Sequence, residues 1–336
     1  MSRADGPQPR GAAARSVLVL RSLGLGDGLT AVPALRGLRR AYPGHRLVIV
    51  SPAEVGALLQ RFGVVDDVVV SHGLQPLPPS SMMRAGQIAV NLHGSGPQSH
   101  RLLQATDPAE LIAFASDAAG HRAGPVWSVE EHEVDRWCRL VRWAGGACGR
   151  EDLRLLPGRA GRSGLVVVHP GAASTARRWP AQRWADVVAE VAGSGWSVLV
   201  TGGPAERELC ARVARGSPGA VNLGGALSLQ QLAEVVAEAD LVVCGDTGVA
   251  HLATAFSTPS VLLFGPTPPQ LWGPAIDRHL HPVIWHGDGA QRGDPHADQV
   301  DANLQKIGVA DVMDLLERSL ANVAERTAQP SANPAG

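Results

Sequence analysis

Two short polar stretches, each placed directly after an apolar run of strand length, hold the residues best suited to chemistry. In one, Asp246-Thr247-Gly248 follows Leu241-Val242-Val243-Cys244 and precedes Val249, Leu252, Ala253 and Phe256, which fall at i, i+3, i+4 and i+7 of a helix. A helix that begins there turns free backbone N–H groups and the positive end of its dipole toward the loop, which favours a phosphate. His251 comes one turn later, over the same loop. The plainer reading makes Asp246 or Thr247 an N-cap and His251 a hydrogen-bonded structural group. In the other stretch, Pro170 to Pro180 follows the apolar run Leu165 to His169. It combines small residues and hydroxyls (Ala172, Ala173, Ser174) with the pair Arg177 and Arg178. Such a loop can approach a diphosphate closely and neutralise it with guanidinium forks. A solvated arginine pair is the alternative.

A third stretch offers a base. Ser16 to Arg21 reads as a buried strand, and Ser22-Leu23-Gly24-Leu25-Gly26-Asp27-Gly28 after it holds a carboxylate, Asp27, at the strand's end between flexible glycines. Gly24 and Gly26 are spaced G-x-G-x-G, not G-x-G-x-x-G. The second strand ends in Ser51-Pro52, with no acidic partner for a ribose, so NAD binding is disfavoured and no cofactor is implied. Asp27 taken alone also reads as an N-cap aspartate. His93, in the cluster Leu92 to Gly96 after the run Gln87 to Asn91, is a further polar group at a strand end.

Two α/β units must position these loops. Strand and helix patterns alternate from Ser16 to about Leu156, lapse over the patternless Pro157 to Gly164, and restart at Leu165. The fold class is therefore α/β, with two Rossmann-like domains, 16–158 and 164–326, whose parallel sheets face each other across a cleft. Residues 1–15 and 327–336 read as a disordered arm and tail. Helices are expected over 129–144 and from Val309 to Leu320, and a strand over 111–115. Trp127, Trp137 and Trp143 are expected in a core or interface, and Met82-Met83 in a loop. The polar stretch His286 to Asn303, with its carboxylates and imidazoles, is expected to be a mobile surface loop or a cleft-closing one rather than a cation site.

Composition narrows the function classes. The chain has 336 residues, 45% of them hydrophobic and 18% charged, with a net charge of −1. That is globular, with nothing to suggest a nucleic-acid surface. No stretch is long and apolar enough for a membrane span. Lys306 is the only lysine, so arginine is expected where relatives carry lysine. Cys138, Cys148, Cys210 and Cys244 form no C-x-x-C pair, so neither a zinc ribbon nor a disulfide framework is indicated and a reducing cytoplasm fits.

Taken together, Leu20-Arg21-Ser22-Leu23-Gly24-Leu25-Gly26-Asp27, Pro33-Ala34-Leu35, His169-Pro170-Gly171-Ala172, Arg178-Trp179-Pro180 with Trp184, Asp246 to Leu252, and Phe264-Gly265-Pro266-Thr267 resemble glycosyltransferase family 9, the heptosyltransferases of lipopolysaccharide core assembly. The resemblance implies a GT-B fold and an inverting, metal-independent transfer from a nucleotide-activated sugar, with an ADP-linked heptose as the favoured donor. The acceptor would be a glycolipid, cell-envelope or small-molecule hydroxyl. It implies Asp27 as general base and Arg177, in place of a lysine, at the diphosphate. It further implies Asp246, Thr247, Gly248 and His251 as the nucleotide segment, Glu206 at the ribose and Leu227 at the base, with the last helix returning toward the first domain. A nucleotide-sugar epimerase or hydrolase, and a non-catalytic sugar-nucleotide-binding protein, are the competing readings. A glycolipid acceptor would bring peripheral contact with the inner membrane face.

Overall fold

The computed structural model describes residues 15–77, 87–158, 163–289 and 292–328. Met82-Met83, the arm up to residue 14 and the tail from residue 329 therefore lie outside the described residues. The first unit contains β1 (Ser16–Leu20), α1 (Leu25–Thr30), α2 (Val32–Ala41), β2 (Arg46–Ser51), α3 (Ala53–Arg61), β3 (Asp67–Val70), β4 (Ile88–Asn91), α4 (Gln98–Gln104), β5 (Glu110–Ile112) and α5 (Glu133–Trp143). The second opens with β6 (Leu165–His169), α6 (Ala181–Gly193), β7 (Ser197–Val200), α7 (Arg207–Ala214), β8 (Val221–Asn222) and α8 (Leu229–Glu238). It continues with β9 (Leu241–Gly245), α9 (Gly248–Ala255), β10 (Ser260–Leu263), α10 (Pro269–Trp272), β11 (Val283–Ile284), α11 (Ala302–Lys306) and α12 (Val309–Ala328).

Among the described residues every pairing between these strands is parallel, in the orders β3-β2-β1-β4-β5 and β11-β10-β9-β6-β7-β8. The central strands β1, β6 and β9 are Val/Leu runs covered on both faces, as parallel strands flanked by helices require. One apolar cluster joins the units, running from Val17 and Leu29 through Trp137 to Val242 and Leu252. Leu155 N–H donates to Ala255 O at 2.7 Å, and Arg154 pairs with Asp277 at 2.6 Å.

Four expectations are corrected. Cys138 and Cys148 form a disulfide, because the chain turns back after α5 through Gly145-Gly146 and brings their Cα atoms to 5.3 Å. Cys210 and Cys244 are free and buried. Trp143 is half exposed, since α5 turns its last residue away from the core that takes Trp137. The last helix stays on the second unit: Val312, Leu316 and Leu320 of α12 pack in the cluster that holds Trp179, Trp184 and Val188. The strand expected over 111–115 is β5, which ends at Ile112. The short strands β8 and β11 were not foreseen, since two-residue edges leave no alternation to read.

Candidate functional site

Strand order reverses between β1 and β4 in the first sheet and between β6 and β9 in the second. Open parallel sheets bind ligands outside the carboxyl ends of the strands at such points. The loops leaving β1, β6 and β9 are the three stretches picked out above. They face one another around a cavity of about 670 Å³. Gly24, Gly26 and Asp27 line it from one side, and Ala172, Ala173, Arg177, Glu206, Asp246, Thr247, Gly248 and His251 from the other.

On the first side, Asp27 is not an N-cap. Gly24 takes that place, and Asp27 lies in the first turn of α1, where its side chain keeps 29% exposure. Arg21, at the end of β1, donates Nε to Asp27 O at 2.9 Å and Nη2 to Asp27 Oδ1 at 3.2 Å. Burial raises the Asp27 pKa; Arg21 opposes that, and the nearby Glu133 carboxylate adds to it. A carboxylate of raised basicity that still reaches a cavity is suited to taking a proton.

On the second side, α9 starts at Gly248 with Thr247 extended at its N-cap and no side chain capping the first turn. Arg177 Nη1 donates to Asp246 O at 3.3 Å and lies 3.7 Å from Asp246 Oδ2. Asp246 is buried, which raises its pKa against the pull of Arg177 and a hydrogen bond from Thr267. Glu206 Oε2 accepts from Gly203 N–H at 2.8 Å. A cation and the start of a helix thus share one wall, an arrangement that suits an anion.

The two walls touch through glycines. A Cβ built on Gly248 would lie 2.8 Å from Leu25 Cβ and 3.1 Å from Gly26 N, and one on Gly26 would lie 2.8 Å from His251 Cδ2. Only hydrogen at these positions lets α1 rest on α9 with Asp27 opposite Arg177. Gly248→Ala is expected to force α1 away from α9 and destabilise the protein by about 1–3 kcal/mol, read as a lower urea midpoint. An unchanged midpoint would show that the close contact is not needed.

His251 lines the cavity with its ring against Gly26 of the first unit and edge-on to Trp272, ring centroids 5.9 Å apart. Burial, with nearby His132, Arg177 and Arg21, lowers its pKa to about 4, so it is neutral at pH 7. His93 and His281 are likewise held at about 4 by burial. As pH falls, the unfolded chain protonates these groups around 6.5 and the folded protein only near 4. Between those values the unfolded state binds more protons, so stability is full above pH 6.5 and declines toward pH 4. Urea midpoints should therefore drop from neutral pH to about pH 5; equal midpoints would contradict this.

The remaining sequence candidates do not line the cavity. Arg178 turns back to donate Nε to Ala172 O at 2.9 Å, and Ser174 Oγ donates to Pro295 O. His93 and half-buried Leu227 lie elsewhere. Thr267, Trp272 and His296 line it without having been singled out as site residues. Asp301 N–H donates to Ala176 O at 3.1 Å and Ala176 N–H to Ala297 O at 3.2 Å, which docks the 294–301 segment on the arginine loop and puts His296 on the wall. Among the described residues no three His, Cys, Asp or Glu side chains are grouped to hold a metal ion, and no helix is long and apolar enough to cross a membrane.

The family model for glycosyltransferase family 9 (heptosyltransferase) matches residues 128–289. Lipopolysaccharide heptosyltransferase 1 of Pseudomonas aeruginosa is 36% identical over 162 residues, 45% of this chain and 44% of that protein. Lipopolysaccharide heptosyltransferase 3 of Escherichia coli K12 is 27% identical over 239 residues, 68% of this chain and 62% of that protein. The chain thus spans less than two thirds of the length of these curated relatives. Among solved structures, E. coli ADP-heptose lipopolysaccharide heptosyltransferase II superposes with a TM-score of 0.71 at 20% identity, covering 91% of this chain and 99% of that one. A family 9 glycosyltransferase from Veillonella parvula gives 0.74 at 18% identity, covering 92% and 98%. The structural likeness gives the fold, GT-B, and the sequence likeness to glycosyltransferase family 9 (heptosyltransferase) is carried by residues 128–289.

Proposed function

We propose that this protein is an inverting, metal-independent glycosyltransferase that moves a sugar, a heptose in the favoured form, from an ADP-linked donor to an acceptor hydroxyl. The observation that carries this reading is the apposition of Asp27 with Arg177 and the start of α9 across one cavity. Inverting transfer needs a base on one face of the anomeric carbon and a leaving-group site on the other, with an oxocarbenium-like state between them. In this reading the first unit binds the acceptor and the second the nucleotide sugar. Asp27 takes the acceptor's proton as its oxygen attacks the anomeric carbon. The C–O bond to the diphosphate breaks on the far side, and its charge passes to Arg177 and the α9 N–H groups. Glu206 lines the nucleotide end. The relatives' names support a heptose donor and a lipopolysaccharide acceptor.

A cytoplasmic location belongs to the same proposal; the free thiols of Cys210 and Cys244 agree with it, and the Cys138–Cys148 disulfide does not.

The test is to incubate the protein with ADP-, UDP-, GDP- and dTDP-sugars and a lipopolysaccharide-core acceptor, and to read the product's anomeric configuration by NMR. ADP-heptose should be consumed only with acceptor, with inversion. Retained configuration would overturn the mechanism, and a new sugar epimer or free sugar formed without acceptor would favour an epimerase or hydrolase.

A further inference from the structure

Behind the cavity four charged side chains stand in a line of alternating sign: Arg136, Glu133, Arg21 and Asp27. Arg136 donates Nη1 to Glu133 Oε2. Glu133 Oε1 accepts from Arg21 Nη2 at 2.8 Å and from Trp137 Nε1 at 2.7 Å. The same Arg21 nitrogen reaches Asp27 Oδ1 at the longer distance of 3.2 Å. Arg21 is 1% exposed and Glu133 3%, so of the two carboxylates only Asp27 meets the cavity. Arg21 cannot turn away, because Nη1 donates to Leu92 O at 2.6 Å and its guanidinium lies 4.8 Å from the Trp137 ring centroid. Glu133 arrives from α5, 112 residues further along the chain, and no step of the proposed transfer uses it.

We propose that Glu133 is a positioning residue that holds the Arg21 guanidinium and takes the larger share of its charge, leaving Asp27 free to accept a proton from the cavity. This rests on the reading of Asp27 as the base. A buried guanidinium paired with Asp27 alone would stabilise the carboxylate and make it a poor base; a second carboxylate on the same cation divides that stabilisation. Arg136 in turn draws on Glu133. Its removal should therefore act on Asp27 in the opposite sense to removal of Glu133.

The other groups around Asp27 leave this contrast intact. Arg177 faces it from the arginine loop, and His251 on α9 and His93 after β4 are neutral above about pH 4.

The test is NMR titration of the full-length protein carrying ¹³C-labelled aspartate carboxyls, with the Asp27 signal assigned by its loss in Asp27→Asn. In wild type Asp27 should titrate above the ordinary carboxylate range. In Glu133→Gln its midpoint should fall by about one pH unit and in Arg136→Gln rise by a similar amount. Opposite shifts are something that lost packing alone would not produce. Equal midpoints in the folded variants, or shifts of one sign, would overturn the proposal. Should Glu133→Gln not fold, the upward shift in Arg136→Gln decides, and its absence overturns the proposal equally. The titration uses neither donor nor acceptor. A catalytically active Asp27→Asn would therefore remove the base reading without touching the charge relationship.

Discussion

Asp27→Asn is expected to lower transfer by about 10²–10⁴-fold, the range over which a positioned general base contributes, while ADP binds as tightly as to wild type. The asparagine fits the same space and can still accept from Arg21, so α1 keeps its place against α9. What is lost is the one carboxylate among the described residues of the first unit that reaches the cavity. Steady-state kinetics and ADP titration on the same preparation separate the two effects. The pH profile supplies a second check. Because burial raises the Asp27 pKa, the deprotonated, competent form appears only above the ordinary carboxylate range. kcat/KM should therefore rise with pH on an acid limb displaced upward. Wild-type activity in Asp27→Asn would remove Asp27 from the chemistry.

Arg177→Ala should damage both binding and turnover. The guanidinium is the cation nearest the start of α9 among the cavity-lining residues, and it partners buried Asp246. Removing it leaves an uncompensated buried carboxylate where a diphosphate should rest, turning an attractive wall into a repulsive one. Loss of one preorganised group on a developing charge costs roughly 10²–10³-fold in kcat, and ADP affinity should weaken as well. Arg177→Lys restores the charge without the fork and is expected to recover most of the binding. If Arg177→Ala and Arg177→Lys behave alike, charge at this position does not matter, and the leaving-group role fails.

The parts of the site that were legible in the sequence are those written as a strand followed by a polar turn. Asp27, Arg177 and Asp246 to Gly248 each come within a dozen residues of a buried Val/Leu run, and parallel pairing carries such turns to one end of a sheet. Arg178 shows where that logic stops, since the turn's own geometry sends one arginine to the cavity and its neighbour back to Ala172 O. Trp272 was not legible as a site residue, because it lies beyond the turn that follows β10; Thr267 lies in that quoted turn, and His296 in the polar stretch, whose course depends on hydrogen bonds to the Ala176 backbone. Glu133 fell inside the helix expected over 129–144 with nothing to mark it; only the fold, which packs α5 against α2, brings it to Arg21 at the end of β1. The disulfide was missed for a similar reason. A spacing of ten residues has no motif, and what joins Cys138 to Cys148 is the Gly145-Gly146 turn.

Calorimetric titration of ADP, UDP, GDP and dTDP into wild type, Arg177→Ala and Asp27→Asn addresses the nucleotide-sugar cleft without needing an acceptor. ADP should bind wild type and Asp27→Asn alike and bind Arg177→Ala at least about tenfold more weakly, with the other nucleotides weaker throughout. Failure of the folded wild-type protein to bind any of the four, or ADP affinity untouched by Arg177→Ala, would contradict a diphosphate seat between the arginine loop and the start of α9.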